Sequence, residues 1–268
     1  MSGQDEDKTA LIPAPESLAG LRRHTAARVA LGRAGNGLPT AAHLKFTLDH
    51  ARARDAVWSA LDLEALDAGL LARGFRTARC ASLAGDRATY VRRPDLGRQI
   101  APAAAETLAG RLGPCRVVVV VADGLSAAAV EANALPLIDE LAPRLAADGH
   151  PVDALVLVEQ GRVAIGDPIG AALKADLTIM LIGERPGLSA ADSLGCYLTF
   201  RPLEGLQDSA RNCISNIRPE GLPPAQAAFK IAWLAREALR RELTGIDLKE
   251  ESAAELASSP AAPLIEGS

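Results

Sequence analysis

The chain has 268 residues, of which 49% are hydrophobic and 3% aromatic, and its formal net charge is −4 at pH 7. This length and apolar content suit about two packed domains, while the acidic balance and the few aromatic residues argue against nucleic acid as a ligand. No apolar stretch reaches the roughly 18–20 residues of a membrane span, and the acidic residues 5–7 differ from the basic start of a signal peptide, so we expect a cytoplasmic protein.

Changes in composition divide the chain into four segments. The terminal segments mix charged residues with proline and lack any period, which is typical of flexible tails. The predicted segments are a tail at 1–20, a mainly helical N-terminal region at 21–114, a Rossmann-like α/β domain at 115–248 and a second tail at 249–268.

The N-terminal region is predicted to contain three helices and one short strand. One helix begins at Thr40, where apolar residues start to recur at four-residue steps, and a second is capped by Asp62 and stops at Gly74. A short strand is predicted at 88–91, and the third helix at 98–112.

Three short apolar runs follow, over 117–124, 152–161 and 177–187. They are rich in branched residues and show no polar alternation, which is typical of strands buried on both faces. The segments between them, 126–148 and 167–174, are predicted helices, the first interrupted by two prolines. The alternation of strand and helix implies an α/β fold with a parallel sheet and right-handed crossovers.

Two further features concern the helices around this sheet. Asp167 is placed to cap the short helix between the second and third strands, with Pro168 at its first helical position. The last predicted helix, over 224–243, carries its apolar residues on one face and should cover one face of the sheet.

Polar residues follow all three predicted strands. In an open parallel sheet, ligands bind beyond the carboxyl ends of the strands. Glu184 and Arg185, in "LIGERPG", therefore lie at the predicted ligand edge, as do Asp123 and Arg162 after the two earlier strands. Taken singly, each of these residues also suits an ordinary solvated loop.

Known catalytic signatures give one candidate at this edge. There is no GxGxxG after a strand, no Walker sequence and no HExxH. "DGLSAAA" resembles a nucleophile elbow, which would make Ser126 the nucleophile of a serine hydrolase. The only histidine after it, His150, lies just before a strand and so at the wrong edge of the sheet. An N-cap role for Ser126 is favoured, and the hydrolase stays as an alternative.

The cysteines predict neither a disulfide scaffold nor a zinc site. Cys80, Cys115, Cys196 and Cys213 are scattered without a CxxC pair. We therefore expect free thiols.

Several blocks of sequence resemble one known family. From about residue 21 to residue 248, in the right order, they are similar to the small subunit of ethanolamine ammonia-lyase, and the "GERPGL" and "CISNI" motifs are highly specific. The blocks are "RRHTAARVALGRAG", "RRPDLGRQI", "GRVAIGDPIG", "LIGERPGLSAADSLGCYL" and "RNCISNIRPEGLPP".

The resemblance implies an adenosylcobalamin-dependent ammonia-lyase, a carbon-nitrogen lyase built from two kinds of subunit. In this family the large subunit is a barrel that binds ethanolamine and does most of the chemistry, and the small subunit closes over the cofactor at their interface. Homolysis of the cobalt-carbon bond starts a radical reaction that yields acetaldehyde and ammonia. No catalytic residue and no metal ligand is then expected in this chain.

The family's pattern also implies which residues contact the cofactor. They are Val163, Glu184 and Cys213, all in the Rossmann-like domain. The cobalamin is expected to be base-on, with its own dimethylbenzimidazole as the lower ligand, which agrees with the sequence "DGHPVD". This stretch starts like the cobalt-binding motif DxHxxG, but Asp153 replaces the glycine.

Some questions stay open at the level of sequence. A pure assembly partner without cofactor contact is a second alternative. The sequence does not determine the subunit stoichiometry, packing into a bacterial microcompartment, a role for the tails, or the substrate range beyond ethanolamine.

Overall fold

The computed structural model describes residues 11–13, 18, 20–25 and 27–253. The greater part of both predicted tails therefore lies outside the described residues. Near the start, Leu11–Ile12 pairs antiparallel with Arg33–Ala34. No helix in the described part of the chain is both long and apolar enough to cross a membrane.

A six-stranded mixed sheet forms the centre of the molecule, in the order β1-β3-β2-β4-β5-β6. The first four strands in this order are parallel, while β5 runs antiparallel to β4 and β6 antiparallel to β5. The strands are β1 (Thr77–Ala81), β2 (Val117–Ala122), β3 (Ala154–Glu159), β4 (Leu177–Gly183), β5 (Leu194–Phe200) and β6 (Asn212–Ile217).

The three predicted apolar strands are confirmed as β2, β3 and β4, and they are parallel as predicted. The sheet as a whole is mixed, because β5 and β6, which were not predicted, run antiparallel to their neighbours. A parallel crossover needs about a dozen residues or more, usually including a helix. Only residues 184–193 connect β4 to β5, so the chain returns antiparallel beside β4.

Seven α-helices are described. One face of the sheet packs against α2, α5 and α7, and the other against α4 and α6, so the prediction that the last helix covers one face is confirmed. The helices are α1 (Thr40–Trp58), α2 (Leu63–Ala72), α3 (Arg87–Arg92), α4 (Pro102–Leu112), α5 (Ala127–Ala147), α6 (Gly166–Ala172) and α7 (Pro224–Arg241).

The strand predicted at 88–91 is wrong, because these residues lie in α3. The Asp86 carboxylate accepts a hydrogen bond from the backbone N–H of Thr89 at 2.9 Å and so caps this helix. The strand in this part of the chain is instead β1, which pairs with β3 at the edge of the sheet.

Two predicted details of the helices also need correction. Asp167 does not cap α6, which continues from a 3-10 turn at Val163–Ile165. Its buried carboxylate instead forms a two-bonded ion pair with the Arg211 guanidinium, at 2.7 and 2.8 Å. The prolines predicted to interrupt α5 lie inside a continuous helix. The Asp62 cap of α2 is confirmed, since its carboxylate accepts from the backbone N–H of Ala65 at 2.9 Å.

Candidate functional site

Two adjoining clefts open at the carboxyl edge of the parallel strands. The first has a volume of about 420 Å³ and is lined by Glu184 and Ser215 among others; the second, of about 320 Å³, is lined by Arg98 and Cys213 among others. Three residues line both clefts: Arg162, Val163 and Tyr197. The structure thus places the three residues predicted from the family's pattern along one connected surface.

Close backbone packing forms the floor of the first cleft. The Leu125 N–H donates to the carbonyl oxygen of Gly183 at 2.9 Å, which joins the ends of β2 and β4. Gly124 has a φ of +57°, and a side chain there would collide with the Gly183 carbonyl. Only glycine permits this close approach of the two strand ends.

Arg87 links the ends of β2 and β3 beneath the clefts. Its Nη1 donates to Asp123 Oδ2 at 3.2 Å, to the Gly124 carbonyl at 2.8 Å and to Gln160 Oε1 at 3.1 Å. Burial raises the pKa of the Asp123 carboxyl to about 6, and the Arg87 charge opposes this rise.

Tyr90 supports the end of β3 from α3. Its ring is fully buried, and its hydroxyl donates to the Gly161 carbonyl at 3.1 Å. Burial raises the pKa of this hydroxyl to about 12, so it stays protonated. The guanidinium carbons of Arg162 and Arg87 lie 4.1 and 4.7 Å from the ring centroid, within range of cation–π attraction.

The Glu184 carboxylate joins β4 to the loop before β5 and to β6. Oε2 accepts from Ser193 Oγ at 2.5 Å and from the backbone N–H of Asn216 at 3.3 Å. Oε1 accepts from Ser215 Oγ at 2.5 Å. Since each carboxylate oxygen has about two acceptor positions, Oε1 keeps one open.

Cys213 lies on β6 directly opposite Tyr197 of β5 and is exposed at the residue level. Local burial of its sulfur nevertheless raises the pKa of the thiol, and the negative charge of Glu184 raises it further. A hydrogen bond with Tyr197 acts in the opposite direction and lowers this pKa. The thiol is therefore protonated and weakly nucleophilic near neutral pH. All four cysteines are free, as predicted.

Ser126 is the N-cap of α5, which contradicts a nucleophilic role. Its fully buried hydroxyl donates to the Ala191 carbonyl at 2.7 Å and accepts from the backbone N–H of Ala129 at 3.2 Å. His150 lies before β3, at the opposite edge of the sheet.

The described residues include no cluster of three or more histidine, cysteine, aspartate or glutamate side chains that could hold a metal ion. Sequence reasoning missed Tyr90, Tyr197 and Arg98 as lining residues. The signal for Tyr197 was present in the "GCYL" block, whereas Tyr90 and Arg98 reach the clefts only through the packing of α3 and the turn after it.

The fold and the clefts together define an α/β protein with two adjoining clefts across the ends of its parallel strands. The family model of the ethanolamine ammonia-lyase light chain (EutC) matches residues 15–249. The chain belongs to this family.

Relatives across several bacteria support this assignment. The chain is 56% identical over 236 residues to the ethanolamine ammonia-lyase small subunit of Azotobacter vinelandii, covering 87% of each chain. It is 56% identical over 235 residues to that of Bradyrhizobium diazoefficiens, covering 87% of this chain and 90% of the relative. It is 51% identical over 248 residues to that of Xanthomonas campestris, covering 91% of each.

Proposed function

We propose that this chain helps bind adenosylcobalamin at an interface with the large subunit of ethanolamine ammonia-lyase, which converts ethanolamine to acetaldehyde and ammonia. The observation that carries the proposal is the position of Val163, Glu184 and Cys213. These residues are distant in sequence, yet they line adjoining clefts at the edge of the sheet where ligands bind.

The chemistry of the clefts fits this cofactor. A corrin ring has broad apolar faces and a rim of amide side chains, so its binder needs a smooth apolar wall with scattered donors and acceptors. Val163 and the glycine floor supply the wall. Glu184 Oε1 and the oxygen of the Ser215 hydroxyl supply acceptors, while the Arg162 guanidinium supplies donors.

The chain's own part in the reaction is then binding and orientation. The chemistry supplied by the bound cofactor is radical initiation. Val163, shared by both clefts, packs against the ring, and Glu184 accepts hydrogen bonds from ring amides. Cys213 packs as a small, soft group, because its protonated thiol is a poor nucleophile.

Base-on binding is part of the same proposal, and the lining of the clefts supports it. None of the residues lining the two clefts is a histidine, and His150 lies at the far edge of the sheet. A cobalamin bound here would keep its own dimethylbenzimidazole, because these residues offer no imidazole to replace it.

Partnership with a large subunit has support in the N-terminal helix. Of the 19 residues of α1, only Ala56 is buried. Leu44 and Leu48, one turn apart on this helix, are 62% and 50% exposed. Apolar side chains left exposed on adjacent turns are typical of a protein interface, and the small-subunit designation of the relatives implies the partner.

The test is cobalamin binding by the co-expressed two-subunit complex, measured by titration and absorbance. Val163→Trp, which fills the junction of both clefts, should abolish binding while the complex still assembles. Val91→Trp, on the exposed side of α3, is the matched control and should bind normally.

The competing function is a pure assembly partner without cofactor contact. It would be supported if Val163→Trp assembled fully and bound cobalamin with wild-type affinity. That result would overturn the proposal.

A further inference from the structure

Arg162 is a cation without a counter-charge at the junction of the two clefts. It forms no ion pair with any described residue, and its buried Nε has no hydrogen-bond partner there. Its Nη2 donates to the Tyr90 carbonyl oxygen at 3.0 Å. Because a guanidinium carries five N–H donors, most of its donor capacity is unused.

The position of this guanidinium is fixed by the protein. The Arg162 backbone N–H donates to the Gly97 carbonyl at 2.7 Å, and its guanidinium packs against the Tyr90 ring. A side chain at Gly97 would collide with the Arg162 stem, so the glycine permits this close packing. A donor group held in place in advance loses little entropy when it binds a ligand.

The second cleft carries an excess of positive charge. Arg98 lies beside Arg162 in this cleft and also forms no ion pair with a described residue. The third arginine there, Arg211, is neutralised by buried Asp167, and its Nε lies 3.7 Å from the exposed carboxylate of Asp208. Since this leaves one positive charge in excess, the cleft suits a singly charged anion.

We propose that Arg162, with Arg98 beside it, binds the phosphodiester of the cofactor's nucleotide loop. This inference rests on the proposed function. The phosphodiester carries a single negative charge, and the planar donor fork of arginine matches the oxygens of a phosphate group. Arg162 donates to these oxygens and thereby anchors the nucleotide end of the cofactor at the second cleft.

The test compares two ligands in the two-subunit complex. Cobinamide keeps the corrin ring but lacks the nucleotide loop and its phosphodiester. Arg162→Gln should weaken cobalamin binding about ten- to a hundredfold, as expected for a lost charge-assisted hydrogen bond, and change cobinamide binding less than twofold. Arg162→Lys keeps the charge but not the planar fork, so it should restore only part of the cobalamin affinity.

Three further measurements test the binding role of Arg162. Cobalamin binding by Arg162→Gln should depend less on salt than that of the wild type. Arg111→Gln, which removes the same charge near the opposite edge of the sheet, should leave both affinities unchanged. Inorganic phosphate should compete with cobalamin only weakly, because it lacks the corrin contacts.

Equal weakening of cobalamin and cobinamide by Arg162→Gln would overturn the inference and assign Arg162 a structural role against Tyr90. An unchanged salt dependence or a failure of Arg162→Lys to restore binding would also count against it. Tight binding of inorganic phosphate would indicate a free anion as the ligand instead. Failure of the proposed function itself would be recognised by a different result, namely a wild-type complex that does not bind cobalamin.

Discussion

Replacement of Glu184 separates its structural role from its proposed binding role. The carboxylate holds Ser193, Ser215 and the backbone of Asn216 through three hydrogen bonds. Glu184→Ala removes all three, and because the site is only half-buried we expect a loss of about 1–3 kcal/mol in the free energy of unfolding. Glu184→Gln keeps one acceptor oxygen and should lose less.

Cobalamin binding should fall independently of this loss of stability. The open acceptor position on Oε1 can take one hydrogen bond from a ring amide, worth about 1.5–3 kcal/mol with a charged acceptor. Glu184→Ala should therefore weaken cobalamin binding about ten- to a hundredfold. Saturating cofactor should restore much of the turnover, since the defect lies mainly in binding.

The assay pairs thermal unfolding of the cofactor-free complex with cobalamin titration of the folded complex. Ser193→Ala is the matched control, because it removes one internal partner of the carboxylate and does not line the first cleft. It should lower stability by about 1 kcal/mol and leave cobalamin affinity near wild type. The binding role is refuted if Glu184→Ala behaves in the same way.

Four further outcomes follow from the structure. The isolated chain should show no deaminase activity without the large subunit, and turnover by the purified chain alone would contradict this. Electron paramagnetic resonance of the cob(II)alamin complex should show coupling to the benzimidazole nitrogen, and a signal that changes on labelling histidine with nitrogen-15 would refute base-on binding. Burial raises the pKa of the Asp123 carboxyl from 3.8 to about 6, so the folded state binds this proton more tightly and stability contributed below pH 4 is lost as pH rises to 6. The free energy of unfolding should fall by up to about 3 kcal/mol over this range. In urea unfolding at several pH values, Asp123→Asn should make the free energy of unfolding nearly independent of pH between about 4 and 6, and an unchanged pH dependence would point to another group. Arg211→Ala should cost about 3–5 kcal/mol by leaving the Asp167 carboxylate buried without its partner, whereas Arg201→Ala, in an exposed pair, should cost less than about 1 kcal/mol in the same assay.

The central strands were predictable because they are buried on both faces. β2 and β4 have no exposed residue, and their sequences are therefore continuous runs of apolar residues. β1 and β6 lie at the edges of the sheet and contain polar residues, so "TARCA" and "NCISNI" carry no such run. Edge strands of this kind become recognisable only from their pairing partners.

Local propensity misled the prediction at 88–91. "ATYV" contains branched and aromatic residues that favour a strand, but the Asp86 cap and the burial of Tyr90 against the end of β3 favour a helix. The tertiary contact to Gly161 decides the outcome, and no sequence window contains both residues.

The candidate site was predictable only in part for the same reason. Glu184 could be placed because it directly follows a recognisable strand, and strand ends mark the ligand edge. The environment of Arg162 could not, since it depends on α3 and on the turn at Gly97, both more than sixty residues earlier in the chain. Whether a charged side chain has an ion-pair partner depends on all the residues that folding brings near it, so the sequence around Arg162 does not show it.

The size of the clefts bears on why a second subunit is needed. At about 420 and 320 Å³, each lies near the lower end of the range of about 300–1,000 Å³ typical of pockets that enclose drug-sized ligands. Cobalamin is much larger than such a ligand, so under the proposed function this chain contacts one side of the ring and the nucleotide loop and leaves the remainder exposed. Exclusion of water from a radical reaction then requires another wall, which the large subunit must supply. Affinity for cobalamin should therefore arise from both subunits together, and the contribution of Glu184 or Arg162 is measurable only within their complex.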